Sequence, residues 1–211
     1  RFIQRHRSSS LASSAIAKRA IAYQQQGDRE FALGDYQDIA KRYLDAPELE
    51  FALQQSALIL ANQRKIPLMI NAYQDLLKAF PNTDGAGEAH YWIGVGFFDL
   101  EQHQQAIPEL AKAREMDAEF DDKATLRLVI CHYQLENIEE LTKDARHYIE
   151  NAPAISGEKV NPQRPSIPPQ VLEYLGRKLA AEQEYVDAEF ILTSVSQPDY
   201  PDQTTASIWK L

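Results

Sequence analysis

Five histidines and one cysteine are the residues of this chain best suited to metal or nucleophilic chemistry. The histidines are His6, His90, His103, His132 and His147. No two of them form the His-x-x-x-His pair of a zinc site, and no acidic residue lies between ligands at a suitable spacing. A helical hairpin could bring His90 near His103, but a metal site needs at least a third donor. We therefore predict no metal site.

Other catalytic motifs are also missing from the sequence. Gly85-Ala86-Gly87 is followed by Glu88-Ala89-His90, not by the Lys-Ser or Lys-Thr of a phosphate-binding loop. Ser156-Gly157 lies in a proline-rich segment and is not a nucleophile elbow. The carboxylate pairs Asp121-Asp122 and Glu139-Glu140 are typical of helix starts, where the helix dipole favours negative charge. We predict a non-catalytic protein with no catalytic residues and no cofactor.

The single cysteine excludes an internal disulfide framework and a cysteine-rich metal site. Cys131 lies among Val129, Ile130 and Tyr133 on a predicted helix, so we expect it to be a small buried hydrophobe. The alternative is a reactive thiol.

Charge is unevenly distributed along the 211 residues, which have a net charge of −9. Residues 1–29 carry six basic residues and one acidic residue, so the remainder is strongly acidic. An acidic surface repels phosphates, and we predict that the protein does not bind nucleic acid. The basic end is either a solvated lead-in or an arm that contacts anionic lipid or an acidic surface. No apolar run approaches the length of a membrane span.

Small and large apolar residues between Gly87 and Phe120 follow the spacing of two helices folded back on each other. One stripe contains Ala89, Ile93, Gly94 and Phe97, and the other contains Ala106, Ile107, Leu110 and Ala113. Small side chains at Gly94 and Ala106 allow helices to approach closely. Helix-stopping positions at Pro47, Pro81, the Ala118 region and Pro153 recur about every 35 residues, which indicates a repeat.

The run from Ala89 to Phe98, followed by Gln105-Ala106-Ile107 and Ala113, resembles the tetratricopeptide repeat (TPR), a helix-turn-helix unit of about 34 residues. A second copy is formed by Leu175-Gly176, Leu179, Glu184-Tyr185, Ala188, Leu192 and Val195. The resemblance implies an all-α, right-handed superhelical solenoid in which each helix pair buries its apolar face against the next.

Five segments follow from this repeat pattern. Residues 1–10 are predicted to be a flexible basic lead-in, and 11–153 to form four TPR-like helix pairs. Residues 154–169 are a proline-rich loop, either packed over one face of the stack or a disordered spacer. Residues 170–201 form the fifth pair. Residues 202–211 begin a further or capping helix.

In this family the first helix of each pair lines a concave groove, so the resemblance implies a binding surface. The predicted groove residues are Phe51, Gln54, Leu58, Tyr91, Val95, Phe98, Lys123, Leu126, Arg127, Ile130, Tyr133 and Arg177. Exposed apolar patches of this kind usually mark interaction sites. The alternatives are that the proline-rich loop or the N-terminal arm covers the groove, or that these residues belong to the core. Lys123 and Arg127 match one pair of a chaperone-tail clamp, but Gln54, Leu58 and Trp92 do not, so we predict no such receptor.

The segment Tyr73–Asp84, with the following Glu88–Gly94, is similar to bacterial cell-envelope members of the family. We therefore expect a scaffold or adaptor that binds a protein or peptide, located in the periplasm or cell envelope or otherwise in the cytoplasm. Any membrane attachment would run through residues preceding Arg1. The alternative is a regulatory or sensor domain of a larger protein that binds a small molecule or short peptide. The repeat pattern leaves the partner and the oligomeric state open.

Overall fold

The computed structural model describes residues 11–151 and 166–195, and every regular element in these ranges is helical. The ten α-helices are α1 (Ala12–Gln26), α2 (Arg29–Arg42), α3 (Leu49–Asn62), α4 (Ile66–Ala79), α5 (Ala86–Asp99), α6 (His103–Met116), α7 (Asp121–Gln134), α8 (Ile138–Glu150), α9 (Pro169–Ala181) and α10 (Tyr185–Val195). A short 3₁₀ helix, Ala118–Phe120, precedes α7. Among these helices, none has both the length and the apolar character needed to cross a bilayer.

The chain divides into two compact units. Unit 1, Arg1–Leu100, contains α1 to α5, and unit 2, Glu101–Leu211, contains α6 to α10. Inside each unit, every helix packs against the next helix along the chain. The predicted helix pair between Gly87 and Phe120 is divided between the units, since α5 belongs to the first and α6 to the second.

A left-handed residue follows the end of each odd-numbered helix. We call the odd-numbered helices the first helices of their pairs and the even-numbered helices the second helices. The left-handed residues are Gly27, Arg64, Glu101, Glu136 and Gln183, with φ angles of 85°, 54°, 58°, 52° and 66°. In four of the five turns the next residue donates a hydrogen bond to the carbonyl five residues earlier, as Asp28 does to Tyr23 at 2.8 Å. This Schellman geometry satisfies carbonyls that the helix end leaves unpaired. The turn therefore gives each pair a fixed reference point.

The interior of each unit is apolar and tightly packed. In unit 1, Tyr36, Tyr73 and Ile93 are almost completely buried. The core of unit 2 includes Leu141, Leu172 and Leu175. A β-carbon added to Gly176 would lie 2.5 Å from the Leu192 side chain, so the contact between α9 and α10 requires glycine.

The predicted apolar stripes are largely buried, with two exceptions. Ala89, Ile93 and Gly94 are buried, and so are Ala106, Leu110 and Ala113, whereas Phe97 and Ile107 are half-buried. The prediction that Cys131 is a small buried residue is confirmed.

One predicted boundary differs from the structure by one residue. Pro169, assigned to the proline-rich loop, opens α9, because proline is well tolerated in the first helical turn. The predicted lead-in (1–10), the proline-rich segment up to residue 165 and the predicted helix start at 202–211 lie outside the described residues.

Candidate functional site

The left-handed turns align the helix pairs with one another. We call two residues equivalent when they lie the same number of residues from the left-handed residue of their own pair. The twelve predicted groove residues then fall at five positions, counted back from the left-handed residue. Phe51 and Lys123 lie thirteen residues before it, Gln54, Tyr91 and Leu126 lie ten residues before it, and Arg127 lies nine residues before it. Leu58, Val95, Ile130 and Arg177 lie six residues before it, and Phe98 and Tyr133 lie three residues before it. Steps of three and four residues keep these side chains on one side of a helix.

Six groove residues belong to unit 1, on α3 and α5. Phe51 is 39% exposed, and its ring meets the Tyr36 ring edge-on at a centroid distance of 5.8 Å. Gln54, Leu58 and Phe98 are half-buried. Tyr91 and Val95 were expected to face a ligand, but they are only 7% and 8% exposed. The accessible part of this surface is therefore formed by the other four residues.

A chain of side-chain hydrogen bonds joins Tyr36, Gln24 and Gln55 in unit 1, and the two glutamines were not among the predicted groove residues. The Tyr36 hydroxyl donates to Gln24 Oε1 at 2.5 Å, and Gln24 Nε2 donates to Gln55 Oε1 at 3.1 Å. Gln24 is equivalent to Phe98, and Gln55 is equivalent to Arg127. The repeat register alone could have identified both glutamines. Burial raises the pKa of Tyr36, so this hydroxyl remains a hydrogen-bond donor at neutral pH.

The other six groove residues belong to unit 2. Leu126, Ile130 and Tyr133 form a half-buried stripe along α7. The Tyr133 ring packs edge-on against Tyr174 of α9 at a centroid distance of 5.1 Å. Tyr174 is equivalent to Gln55 and Arg127, and it too was missed from the sequence. The structure therefore places two aromatic rings side by side on neighbouring first helices.

Cationic groups flank this stripe in unit 2. Lys123 Nζ pairs with Glu119 Oε1 at 3.2 Å, and Arg127 Nη1 donates to the Lys123 carbonyl at 2.9 Å. On α9, Arg177 Nη2 lies 3.7 Å from Glu173 Oε2. An open depression of about 350 Å³ is lined on α9 by Gln170, Glu173, Tyr174, Arg177 and Lys178.

A polar cluster of Arg114, Thr125, His132 and Asp144 occupies a different face of unit 2. Arg114 Nη1 lies 2.7 Å from Asp144 Oδ1 and 3.5 Å from Thr125 Oγ1. His132 Nε2 lies 3.4 Å from Asp144 Oδ2. Burial lowers the pKa of His132 against the opposing effect of Asp144, so the imidazole is neutral at pH 7. The cluster is an ion pair between a half-buried arginine and a buried aspartate, joined to a neutral histidine.

Cys131 lies beside this cluster, with its Sγ 3.7 Å from His103 Nδ1. Burial raises the pKa of the thiol to about 12. A nucleophile must be a thiolate, so the reactive-thiol alternative is disfavoured. In residues 11–151 and 166–195, no three His, Cys, Asp or Glu side chains are grouped as metal ligands.

Solved structures of similar fold include those of YrrB, MamA and BtubC. YrrB, described as a TPR protein with an unusual peptide-binding site, is 17% identical with a TM-score of 0.63, over 99% of this chain and 95% of YrrB. MamA 41-end from Desulfovibrio magneticus RS-1 is 18% identical with a TM-score of 0.57, over 87% of this chain and 93% of that one. BtubC (BKLC) from P. vanneervenii is 14% identical with a TM-score of 0.52, over 96% and 83%.

These similarities confirm the predicted fold class, which is the all-α fold of TPR proteins. No family model matches the sequence, and no curated protein matches it significantly. The likeness to these proteins therefore concerns the fold.

Proposed function

We propose that this chain is a non-catalytic scaffold that binds a protein or peptide partner on the first helices of its units. The observation that carries the proposal is the half-exposed apolar surface at equivalent positions of these helices, with Phe98 on α5 and Tyr133 on α7 both three residues before the turn. Half-buried aromatic side chains supply large contact areas at a small cost in conformational entropy. Their rigid helices hold them ready for a partner.

The two units offer different chemistry to such a partner. In unit 1, the Phe51 ring packs against Tyr36, whose hydroxyl donates to the Gln24 amide, and that amide donates to Gln55. An apolar ring together with side-chain amides suits a peptide backbone with an apolar anchor. In unit 2, the tyrosine pair is flanked by Arg127 and Arg177, which suits apolar anchors accompanied by carboxylates. We infer that the partner presents apolar residues interspersed with acidic ones.

The proposal extends to location. The similarity of Tyr73–Gly94 to bacterial cell-envelope repeat proteins supports a role as an adaptor in the periplasm or envelope. A peptide-binding site is described for YrrB, which supports peptide recognition by the same fold.

Site-specific photo-crosslinking in the native cells tests the proposal. A benzoylphenylalanine would replace Phe98 in one strain and Tyr133 in another, and mass spectrometry would identify the adducts. The control is Phe31, an aromatic residue that is 65% exposed on the second helix α2. We expect one protein partner to be captured from Phe98 and Tyr133 but not from Phe31. Equal capture at all three positions, or no adduct with a folded and abundant protein, would contradict the proposal.

A further inference from the structure

Unit 1 contains a cleft on a face that the predicted groove does not use. Its floor is α3 and its walls are the second helices α2 and α4. The space is about 350 Å³, which is at the small end of the range of ligand pockets. The small side chains of Ala40 on α2 and Ala72 on α4 leave space between the two wall helices.

The cleft and the groove lie on opposite sides of α3. Each cleft residue on this helix follows a groove residue by two positions: Leu53 follows Phe51, Ser56 follows Gln54, and Leu60 follows Leu58. Successive residues of an α-helix are about 100° apart, so two positions correspond to about 200°. A ligand in the cleft would therefore leave the groove of α3 accessible.

The lining of the cleft is apolar inside and polar at its rim. Leu53, Leu60 and Leu68 line it together with the two alanines, and Leu68 is 54% exposed. Ser56 is the polar residue of the floor; it is 5% exposed, and its Oγ has no hydrogen-bond partner among the described residues. The interior therefore suits an aliphatic side chain.

The rim carries one cation and one anion. Lys41 lies on the α2 wall, and Asp75 lies on the α4 wall. In the described part of the chain, neither side chain forms an ion pair. Both charges are thus available to groups on a ligand.

The equivalent cleft of unit 2 indicates the size of side chain that the cleft of unit 1 can hold. Arg114, which is equivalent to Ala40, extends from α6 across Thr125 on α7 to Asp144 on α8. Thr125 and Asp144 are equivalent to Leu53 and Ala72, so the arginine side chain fills the corresponding cleft of unit 2. In unit 1 the corresponding space is open and lined with aliphatic side chains.

We propose that the cleft of unit 1 is a second peptide-binding site, which takes one leucine- or methionine-sized side chain of a partner peptide. An acidic residue of the peptide pairs with Lys41, and a basic residue pairs with Asp75. A methionine side chain approaches the length of the arginine that fills the equivalent cleft, and a leucine side chain is shorter and also fits. This site acts independently of the groove.

The test is a selection of displayed 12-residue peptides on the full chain, with counter-selection on the Ala40→Leu/Ala72→Leu variant. Binding of the enriched peptides is then measured by fluorescence anisotropy. We expect them to share an aliphatic residue flanked by opposite charges, and to bind the filled variant at least about tenfold more weakly, because the cleft no longer admits the side chain. Thermal unfolding checks that the filled variant remains folded.

Point variants keep the test decisive if the filled variant does not fold. Lys41→Glu should weaken binding about threefold, as for a rim ion pair, whereas Lys78→Glu at the equivalent position of α4 should not. Ser56→Ala should leave the affinity unchanged or raise it. The proposal would be overturned if no peptides are enriched, or if the enriched peptides bind the filled variant or Lys41→Glu as tightly as the parent chain. A loss of binding in Ser56→Ala would also overturn it. Phe98→Glu should bind these peptides as the parent chain does, which separates this site from the groove.

Discussion

The cleft of unit 1 and the polar cluster of unit 2 are built at equivalent positions of their helix pairs, yet one is open and the other is filled. The lining residues differ between them, and four of the differences form the polar cluster: Ala40, Leu53, Leu60 and Ala72 in unit 1 correspond to Arg114, Thr125, His132 and Asp144 in unit 2. The backbone of the pair is the same in outline, with the same left-handed turn. Side chains alone therefore decide whether the space between two second helices is a binding site or part of the core.

The first prediction removes the acid at the centre of the polar cluster. Asp144 is 5% exposed and contacts both Arg114 and His132, so Asp144→Ala leaves a guanidinium without its partner. We expect the free energy of unfolding to fall by about 2 kcal/mol, which is less than for a fully buried ion pair because the Arg114 side chain is 26% exposed to water. Urea denaturation measures this loss. Asp75→Ala, on the exposed rim of the cleft, is the control and should change stability by less than about 0.5 kcal/mol.

The second prediction transfers the ion pair to unit 1. Ala72→Asp alone should destabilise the chain by about 1 to 2 kcal/mol, because it places a carboxylate in an apolar cleft without a partner. Adding Ala40→Arg should recover at least about 1 kcal/mol, since the new guanidinium reaches the new carboxylate as Arg114 reaches Asp144. A double-mutant cycle gives the coupling energy. A coupling of zero would show that the two clefts do not share geometry.

The third prediction concerns the pH dependence of unit 2. Burial lowers the pKa of His132 in the folded state, so the unfolded chain binds the proton more readily. The groups that affect His132 are Asp144, Glu140 and Arg114. Stability should therefore be complete above the ordinary histidine pKa of about 6.5 and should decline as the pH falls below it.

His132→Leu is the matched variant for this pH dependence, because Leu60 is the equivalent residue in unit 1. It should flatten the stability profile below about pH 6.5, measured by urea denaturation at a series of pH values. An unchanged slope would mean that another group titrates. Carboxylates contribute to the pH dependence of stability at lower pH in both the parent chain and His132→Leu. Their contribution therefore cancels when one stability profile is subtracted from the other.

The smallest predicted effects compare the turns of the two units. Unit 1 has a glycine at Gly27, while unit 2 has Glu136 at the equivalent left-handed position. Left-handed φ costs a non-glycine residue about 1 kcal/mol. Glu136→Gly should therefore raise the free energy of unfolding by about 0.5 to 1 kcal/mol, and Gly27→Ala should lower it by a similar amount. Thermal unfolding should show shifts of opposite sign, and shifts of the same sign would contradict this account.

The helix pairs were predictable from sequence because local signals specify them. Small residues such as Ala89 and Ala106 recur at helical spacing and are buried as expected. The turns were harder to predict, because Arg64, Glu101, Glu136 and Gln183 adopt a conformation that sequence patterns associate with glycine. At Arg64, Glu136 and Gln183 this preference is overridden by the hydrogen bond that the next residue donates to close the turn.

The candidate sites depended on information that a linear pattern does not contain. Ala40 and Ala72 face one cleft although they lie on different helix pairs, and neither is unusual on its own helix. The Gln24–Gln55 hydrogen bond likewise joins two pairs. Tyr91 and Val95 share the repeat positions of half-exposed groove residues, but the packing around α5 buries them.

The proposed scaffold function is tested most directly by the affinity of the crosslinked partner for charge-substituted groove variants. Phe98→Glu and Tyr133→Glu place a carboxylate on the first-helix surface of each unit, and Phe31→Glu is the control on a second helix. Calorimetric titration should show partner binding weakened at least about tenfold by the first two changes and unaffected by the third, with unfolding temperatures close to that of the parent chain. Full affinity in folded Phe98→Glu and Tyr133→Glu, or unfolding of both variants as expected for core residues, would contradict the proposal that this surface binds the partner.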